Sequence, residues 1–325
     1  MKIHFYIPKH VLPATGELDG WMDGNPTNIR QSSKIATAQC WIYLTYIRLK
    51  NAGFETTLTH EISGEGIFVA LTGNLPPNFL PPKNIYLVGV VADGMLHCGC
   101  HFHILQNAAH ARRLPFSTYI PHWPQPSLVP RNRERADRFE NLCFYGDPLN
   151  LAPELRDPTF AAFLKSSCGL NLQIVDSNRW HDYSEADCVM AIREMSRRMF
   201  INKPSTKLYN GWLAGVPVIG GRESAFLADG HPNIDHVSCK SQADVLQAIS
   251  RLRDDPEYRR NIVTEGSRSA RRFSPEIIAG RWMEVLSFID TTHAPAHLSK
   301  TKLLSAPIRW KQRLIVTADR LRGGY

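Results

Sequence analysis

The stretch Lys203–Ser224, K-P-S-T-K-L-Y-N-G-W-L-A-G-V-P-V-I-G-G-R-E-S, decides how the chain is read. A loop with two lysines and two hydroxyls leads into a short helix that closes at Ala214-Gly215. Glycine just past a helix end accepts the left-handed conformation that caps it. Val216–Ile219 is then an apolar run with its proline near the start, the pattern of a strand buried in a parallel sheet, and it stops at Gly220-Gly221. Lys203 and Lys207 are four apart and share a face of the first turn. That turn also carries unpaired backbone N–H groups, which favour an anion. The pattern points to capture of a diphosphate at the carboxyl edge of an α/β sheet. A solvated lysine pair at a helix start is the other reading of the same spacing.

The whole chain sets the frame. Its 325 residues exceed what one core usually serves, so two α/β domains are expected. Apolar residues at 43% and charged ones at 21% describe a folded protein. No apolar run reaches 18 residues, so no transmembrane helix is expected. The start, M-K-I-H-F-Y-I-P-K-H, is too short in apolar length for a secretory signal and reads as a first strand. Seven cysteines, an odd number in no disulfide-like pattern, suit a reducing cytosol. The net charge of +8 is concentrated at one end, with seven basic residues in 300–322 against Asp319. Nucleic-acid binding would call for a basic folded face or a recognisable motif, and neither is present.

Strands are expected at Lys2–Ile7, Glu55–Thr59, Gly64–Leu71, Ile85–Val91 and Phe116–Ile120, with a helix from Ser32 or Ser33 to about Asn51. The long loop 8–31 holds Glu17, Asp19 and Asp23 beside Trp21, and a long loop after a first strand is often functional in α/β folds. His97–His103, H-C-G-C-H-F-H, draws notice as a metal candidate, but its spacing is not that of a zinc site. Its residues read instead as a strand entrance where His and Cys pack, with Gln106-Asn107 at the strand end facing a cleft. Four prolines and a basic run in 121–135 mark a crossing between domains, where His122-Trp123 are placed to line the cleft. The second half alternates strand and helix: strands at Asn141–Tyr145, Asn171–Val175, Cys188–Ile192 and Val237–Cys239, helices at Pro153–Ser167, 242–253, 256–272 and 275–289.

Two Rossmann-like halves, a proline-rich hinge and K-x-x-x-K-L-Y-N-x-W-x-A-G-V-P-V-I together resemble the GT-B glycosyltransferases, above all their nucleotide-sugar half. F-Y-G-D-P-L-N-L (144–151), W-H-D-Y-S (180–184) and A-I-R (191–193) look like a subgroup of small bacterial, often cyanobacterial, members. The resemblance implies an α/β GT-B fold with two Rossmann-like domains facing a cleft. The first, 1–130, would take the acceptor, and the second, 131–290, the donor; a basic tail, 291–325, would follow. Helix 275–290 would fold back onto the first domain. The activity implied is transfer of a sugar from a nucleoside-diphosphate sugar to a carbohydrate or lipid-linked hydroxyl, without a metal or other cofactor and without nucleic acid as partner. A nucleotide-sugar epimerase and a non-catalytic nucleotide-sugar binder share the architecture and stay open as alternatives.

Roles follow from that resemblance. Lys203 and Lys207 would hold the diphosphate, with Ser205 and Thr206 as hydroxyl donors and Arg193 as a further cation. Gly146 would let the backbone approach the donor. Glu223 and Ser224 would meet ribose or sugar hydroxyls. Asn210 stands where related retaining enzymes often carry Glu, and it can both donate and accept. Asp19 is the first choice for the base that takes the acceptor proton, with Glu17 and His10 behind it. The tail 300–322, with Leu303, Leu304, Ile308, Trp310, Leu314 and Ile315 among its cations, reads as an amphipathic segment for an anionic membrane or as a helix packed on the first domain. A cytoplasmic location is expected, with peripheral contact to the inner membrane face through that tail.

Overall fold

The computed structural model describes residues 1–12, 37–196, 198–295, 314, 317 and 318. Two wholly parallel sheets organise them. The first contains β1 (Ile3–Tyr6), β2 (Thr57–Thr59), β3 (Gly66–Leu71), β4 (Ile85–Val91), β5 (Phe102–Leu105) and β6 (Ser117–Tyr119), in the order β2-β1-β3-β4-β5-β6. The second contains β7 (Asn141–Tyr145), β8 (Asn171–Val175), β9 (Cys188–Ala191), β10 (Val218–Gly220) and β11 (Val237–Ser238), in the order β11-β10-β9-β7-β8. In each sheet the chain reverses its direction of winding beside the first strand. A crevice opens at such a reversal, outside the carboxyl ends of the strands. In the second sheet the reversal lies between β7 and β9, which deliver Gly146 and Arg193.

The strands are nearly continuous apolar runs because both faces are covered. β3 and β4 are buried along their whole length. One face of the first sheet packs Phe5, Ile7, Val69 and Val88 against Trp41, Ile42 and Ile47. These last belong to a π-helical turn, Gln39–Tyr43, that runs into helix α1 (Leu44–Asn51). The opposite face has a smaller core of Phe68, Ala70, Ile85, Leu87 and Cys100, covered by the proline-rich connector through Leu75 and Phe79. After β5 comes one short helix, α2 (Ala108–Ala111), capped by Asn107.

Two departures from the expected elements have local causes. The helix expected over Pro153–Ser167 is two helices, α3 (Pro153–Arg156) and α4 (Pro158–Cys168). A residue before proline is pushed out of the helical region, and Asp157 there is extended and caps α4 through its bond from the Thr159 N–H. Further on, α5 (Thr206–Leu213) begins three residues after Lys203, so Lys203 lies in the loop and shares no helical face with Lys207. Gly215, at φ 71, closes that helix as its position predicts. Gly211 on α5 is needed by packing, since a Cβ there would fall 2.4 Å from Val218 Cγ2 on β10.

The second sheet is closed by α6 (Ser224–Asp229), α7 (Gln242–Asp254) and α8 (Pro256–Ala270). The last long helix, α9 (Pro275–Phe288), leaves this domain. Its Ile278, Ala279, Trp282 and Leu286 join the core of the first sheet, with the Trp282 ring 6.2 Å from that of Phe5. The segment 275–288 therefore packs with the first domain, not within a donor domain ending at 290, because its apolar face matches the open side of the β1 layer. Among the described residues no helix is long and apolar enough to cross a membrane. Trp282 is fully buried. Trp282→Ala is expected to lower stability by about 3–5 kcal/mol, the usual cost of emptying so large a site, read as a lower urea midpoint with the slope unchanged. A loss below about 1 kcal/mol would show that α9 is not integral to the first domain.

Candidate functional site

The carboxyl ends of both sheets face a cleft of about 440 Å³ between the domains. Its floor follows α5, so residues along that helix order the cleft. Lys203 lies before the helix, Lys207 in its first turn and Asn210 one turn further.

The middle holds Gly146, Arg193 and Lys207. The Lys207 side chain lies across Gly146, where an added Cβ would sit 3.0 Å from its Cε and 3.1 Å from Nζ. The ammonium is 5.4 Å from the centre of the Phe144 ring, and no carboxylate among the described residues pairs with it. Burial pushes this ammonium down to about 7, and Arg193 and Lys203 add to the fall while Glu223 and Asp93 oppose it. Arg193 donates through Nε to Glu223 Oε2 at 2.9 Å and through Nη1 to Asn150 Oδ1 at 3.1 Å. Its Nη2 has no hydrogen-bond partner among the described residues. Two cations thus converge with capacity to spare, and an anion is the group that would complete them.

At the end nearer the first domain, Lys203 Nζ pairs with Asp93 Oδ1 at 3.3 Å. The buried Gln106 amide donates to the same oxygen at 2.7 Å and to Asn202 O at 2.6 Å. The other end is aromatic. Tyr145 and Tyr183 stack with centres 3.9 Å apart, and Trp180 is fixed by a 2.9 Å bond from its Nε1 to Val175 O. Asn210 Oδ1 accepts from Gln125 N at 3.0 Å. His122 also lines the cleft. Its Nδ1 is 2.6 Å from Trp123 O, which can only accept, so that nitrogen carries the proton and Nε2 is left as an acceptor. Desolvation lowers its pKa and keeps it neutral. Burial pushes the Cys40 thiol up to about 12, which removes a thiolate nucleophile at neutral pH.

Of the residues proposed for the site, Gly146, Arg193, Lys203, Thr206, Lys207 and Asn210 all line the cleft. The Tyr209 hydroxyl gives its one proton to His122 O at 2.8 Å, so Thr206 Oγ1, 3.2 Å away, donates to the tyrosine oxygen and offers the cleft its lone pairs. Three others are corrected. Ser205 is buried and gives its hydroxyl proton to Asp229 Oδ2. Ser224 Oγ, also buried, accepts from Asn107 Nδ2 at 2.9 Å and serves as a link between the domains. Glu223 stands behind Arg193 instead of facing the cleft, and its Oε1 is buried with no partner among the described residues. Asp19, Glu17 and Trp21 lie outside the described residues, as does most of 300–322. His10 is exposed on a short turn, Lys9–Val11, and does not line the cleft.

The histidines of H-C-G-C-H-F-H are engaged with backbone. His97 Nε2 bonds Pro76 O, His101 Nδ1 accepts from Leu87 N, and His103 Nε2 bonds His97 O. They shape the loop that enters β5. The cleft also contains residues that spacing did not single out: Asp93, Gln125, Trp180 and Tyr183. Asp93 had one readable signal, an Asp-Gly pair immediately beyond a wholly apolar strand.

No family model matches the chain, and no curated protein matches its sequence. Solved structures do match. Anabaena HepE in complex with UDP and glucose is 10% identical with a TM-score of 0.53, covering 88% of this chain and 99% of that one. AviGT4, a glycosyltransferase involved in avilamycin A biosynthesis, is 15% identical with a TM-score of 0.50, over 89% and 97% of the two chains. The chain has the GT-B fold, with two Rossmann-like domains facing the cleft.

Lys207 titrates in a testable direction. Its ammonium carries a folded pKa of about 7 against an ordinary 10.5. Between those values the unfolded chain holds more protons, so stability rises with pH across that interval and the penalty is full below it. Lys207→Met is therefore expected to melt higher than the parent below pH 7, by a few degrees (about 2–4 °C per kcal/mol). The advantage should shrink as pH rises from 7 towards 10.5. A difference in melting temperature that does not vary with pH would show that the ammonium is not desolvated.

Proposed function

We propose that the protein is a glycosyltransferase that moves a sugar from a nucleoside-diphosphate sugar to a hydroxyl acceptor. The observation that carries this reading is Lys207, a desolvated ammonium laid over Gly146 beside the spare Nη2 of Arg193 at the start of α5. Such a set matches a diphosphate in charge and reach, and the backbone N–H groups of the first turn add to it. That HepE was solved with UDP and glucose on the same fold supports the ligand class.

In this reading the diphosphate lies over Lys207, Arg193 and Gly146. The nucleoside extends towards Tyr145, Tyr183 and Trp180, whose rings suit a base, and Asn210 is within the same reach for ribose. The sugar extends towards Asp93, Gln106 and Lys203. As the bond from sugar carbon to phosphate oxygen breaks, negative charge grows on the leaving diphosphate. Lys207 is held weakly charged in the free protein, so that growing anion draws its proton on more firmly. Stabilisation is then greater in the transition state than in the ground state. Lysine and arginine meet the charge here, and the reading calls for no metal. A carbohydrate or lipid-linked acceptor would enter from the first domain, with Asp19 as the base for its hydroxyl proton. A cytoplasmic setting, with the basic tail 300–322 on an anionic membrane face, belongs to the same proposal.

Calorimetry with UDP, GDP and dTDP tests the donor site. One of them is expected to bind, and Lys207→Ala should weaken it by about 1.5–3 kcal/mol, the range for a charge-assisted contact. At pH 8 the parent should also take up a fraction of a proton on binding, seen by repeating the titration in buffers of different ionisation enthalpy, and Lys207→Ala should not. Unchanged affinity in Lys207→Ala would refute the diphosphate assignment. Interconversion of two nucleotide sugars without acceptor would favour an epimerase instead. For Asp19→Asn, kcat should fall by about 100-fold or more with donor affinity held; a parental kcat would remove Asp19 as the base.

A further inference from the structure

We propose that Asp93 selects the sugar of the donor. Its carboxylate accepts hydroxyls of a neutral hexose and rejects sugars that carry a carboxylate of their own. This rests on the glycosyl-donor reading above and concerns one end of the same cleft.

Four observations carry it. First, Asp93 and Asp147 are the acidic residues that line the cleft among the described residues, and Asp147 is committed locally, its Oδ1 accepting from Leu149 N at 2.9 Å. Asp93 therefore supplies the first domain's negative charge there. Second, it is held in place. Its backbone sits at φ 51, a left-handed conformation that costs a non-glycine residue energy and recurs where a side chain must be aimed. The Gln106 amide, itself buried and tied to Asn202 O, grips Oδ1. Third, Lys203 bonds that same Oδ1, which leaves Oδ2 without a partner among the described residues. The carboxylate is about half exposed and can meet a ligand without first being stripped from the core. Fourth, Asp93 meets Lys203, which precedes the turn of α5 that carries Lys207, so it stands on the first domain's side of the diphosphate cations, where Trp41 and His122 also line the cleft.

The chemistry at that end is consistent. Lys203 and the Gln106 amide donate, Asp93 Oδ2 accepts, and a polyhydroxylated ring offers both kinds of group. A carboxylate on the sugar would instead face Asp93 at short range, a like-charge pair that binding sites use to reject wrong ligands. Lys203 screens the carboxylate from the Oδ1 side, and Oδ2 is the oxygen left to face the sugar.

The test compares three probes, UDP, UDP-glucose and UDP-glucuronate, by calorimetry at pH 7.5. Asp93→Asn and Asp93→Gly are the variants, since both residues tolerate the positive φ and the asparagine keeps an oxygen for Gln106. The parent should bind UDP-glucose about 10-fold or more tighter than UDP-glucuronate. Both variants should bring the two sugars to within about 3-fold of each other, by weakening UDP-glucose and strengthening UDP-glucuronate, and should change UDP itself by less than about 3-fold. A general structural defect would weaken all three probes together and so overturn the proposal. A parent that binds UDP but treats the two sugars alike overturns the role of Asp93 and leaves the donor reading standing. A parent that binds none of the three and neither GDP nor dTDP overturns both, and one that binds GDP or dTDP instead takes the hexose and hexuronate of that nucleotide in the same comparison.

Discussion

The cleft depends on one buried amide. Asn107, with no exposed surface, stands just beyond β5 and spends every atom of its side chain. Oδ1 accepts from Ala109 N and His110 N and starts α2. Nδ2 points the other way, to Ser224 Oγ at 2.9 Å, Lys203 O at 3.0 Å and Phe200 O at 3.4 Å. The first domain thus fixes the backbone of the loop that carries Lys203 and the start of α6 in one contact. Gln106 beside it repeats the device on Asn202 O. The loop needs this support, because Phe200 sits at φ 47, a conformation a bulky residue does not hold unaided. An amide suits the place, since one end of a short side chain donates two protons while the other accepts.

The same loop then presents two lysines whose surroundings make them unlike. Lys203 is matched by Asp93 in an ion pair. Lys207 has the Phe144 ring, a glycine and a second cation for neighbours. Stability alone would not keep a lysine there, because a desolvated charge beside Arg193 costs free energy that Glu223 and Asp93 offset only in part. A site that must become strongly cationic when a diphosphate arrives accounts for the cost, in the manner of functional residues that are strained in the free protein. Glu223, hidden behind Arg193, limits the penalty without neutralising the front of the site.

Much of this was legible in the sequence, and the limits have physical causes. Apolar runs bounded by glycine and proline located the strands, since burial on both faces leaves a one-dimensional trace. Gly146, Arg193 and Lys207 were legible because the carboxyl ends of β7 and β9 and the start of α5 are local features. The fates of Ser205 and Ser224 were not. Their partners, Asp229 and Asn107, are 24 and 117 residues away, and a hydroxyl carries no sign of which acceptor or donor it will meet. Asp93 escaped notice for a related reason. Its meaning comes from Lys203, more than a hundred positions on, in the other domain. The return of α9 to the first sheet followed the expected direction for 275–290, yet nothing in its amphipathic pattern says which sheet it covers.

The division of charge between the domains has a consequence for how the cleft works. Lys203, Lys207 and Arg193 belong to the second domain, whereas Asp93, Gln106 and Asn107 belong to the first. Neither domain alone presents a matched set: one would offer excess positive charge, the other a carboxylate and two amides with nothing to hold. The contacts between residues 93–107 and 200–224 therefore join the domains with the groups that line or support the cleft. A ligand that replaces Asp93 as the partner of Lys203 must weaken one of these contacts while bridging the same two surfaces itself. Ligand binding and domain arrangement are for that reason linked through a shared set of side chains, and any difference in affinity between arrangements must appear as a shift in their populations.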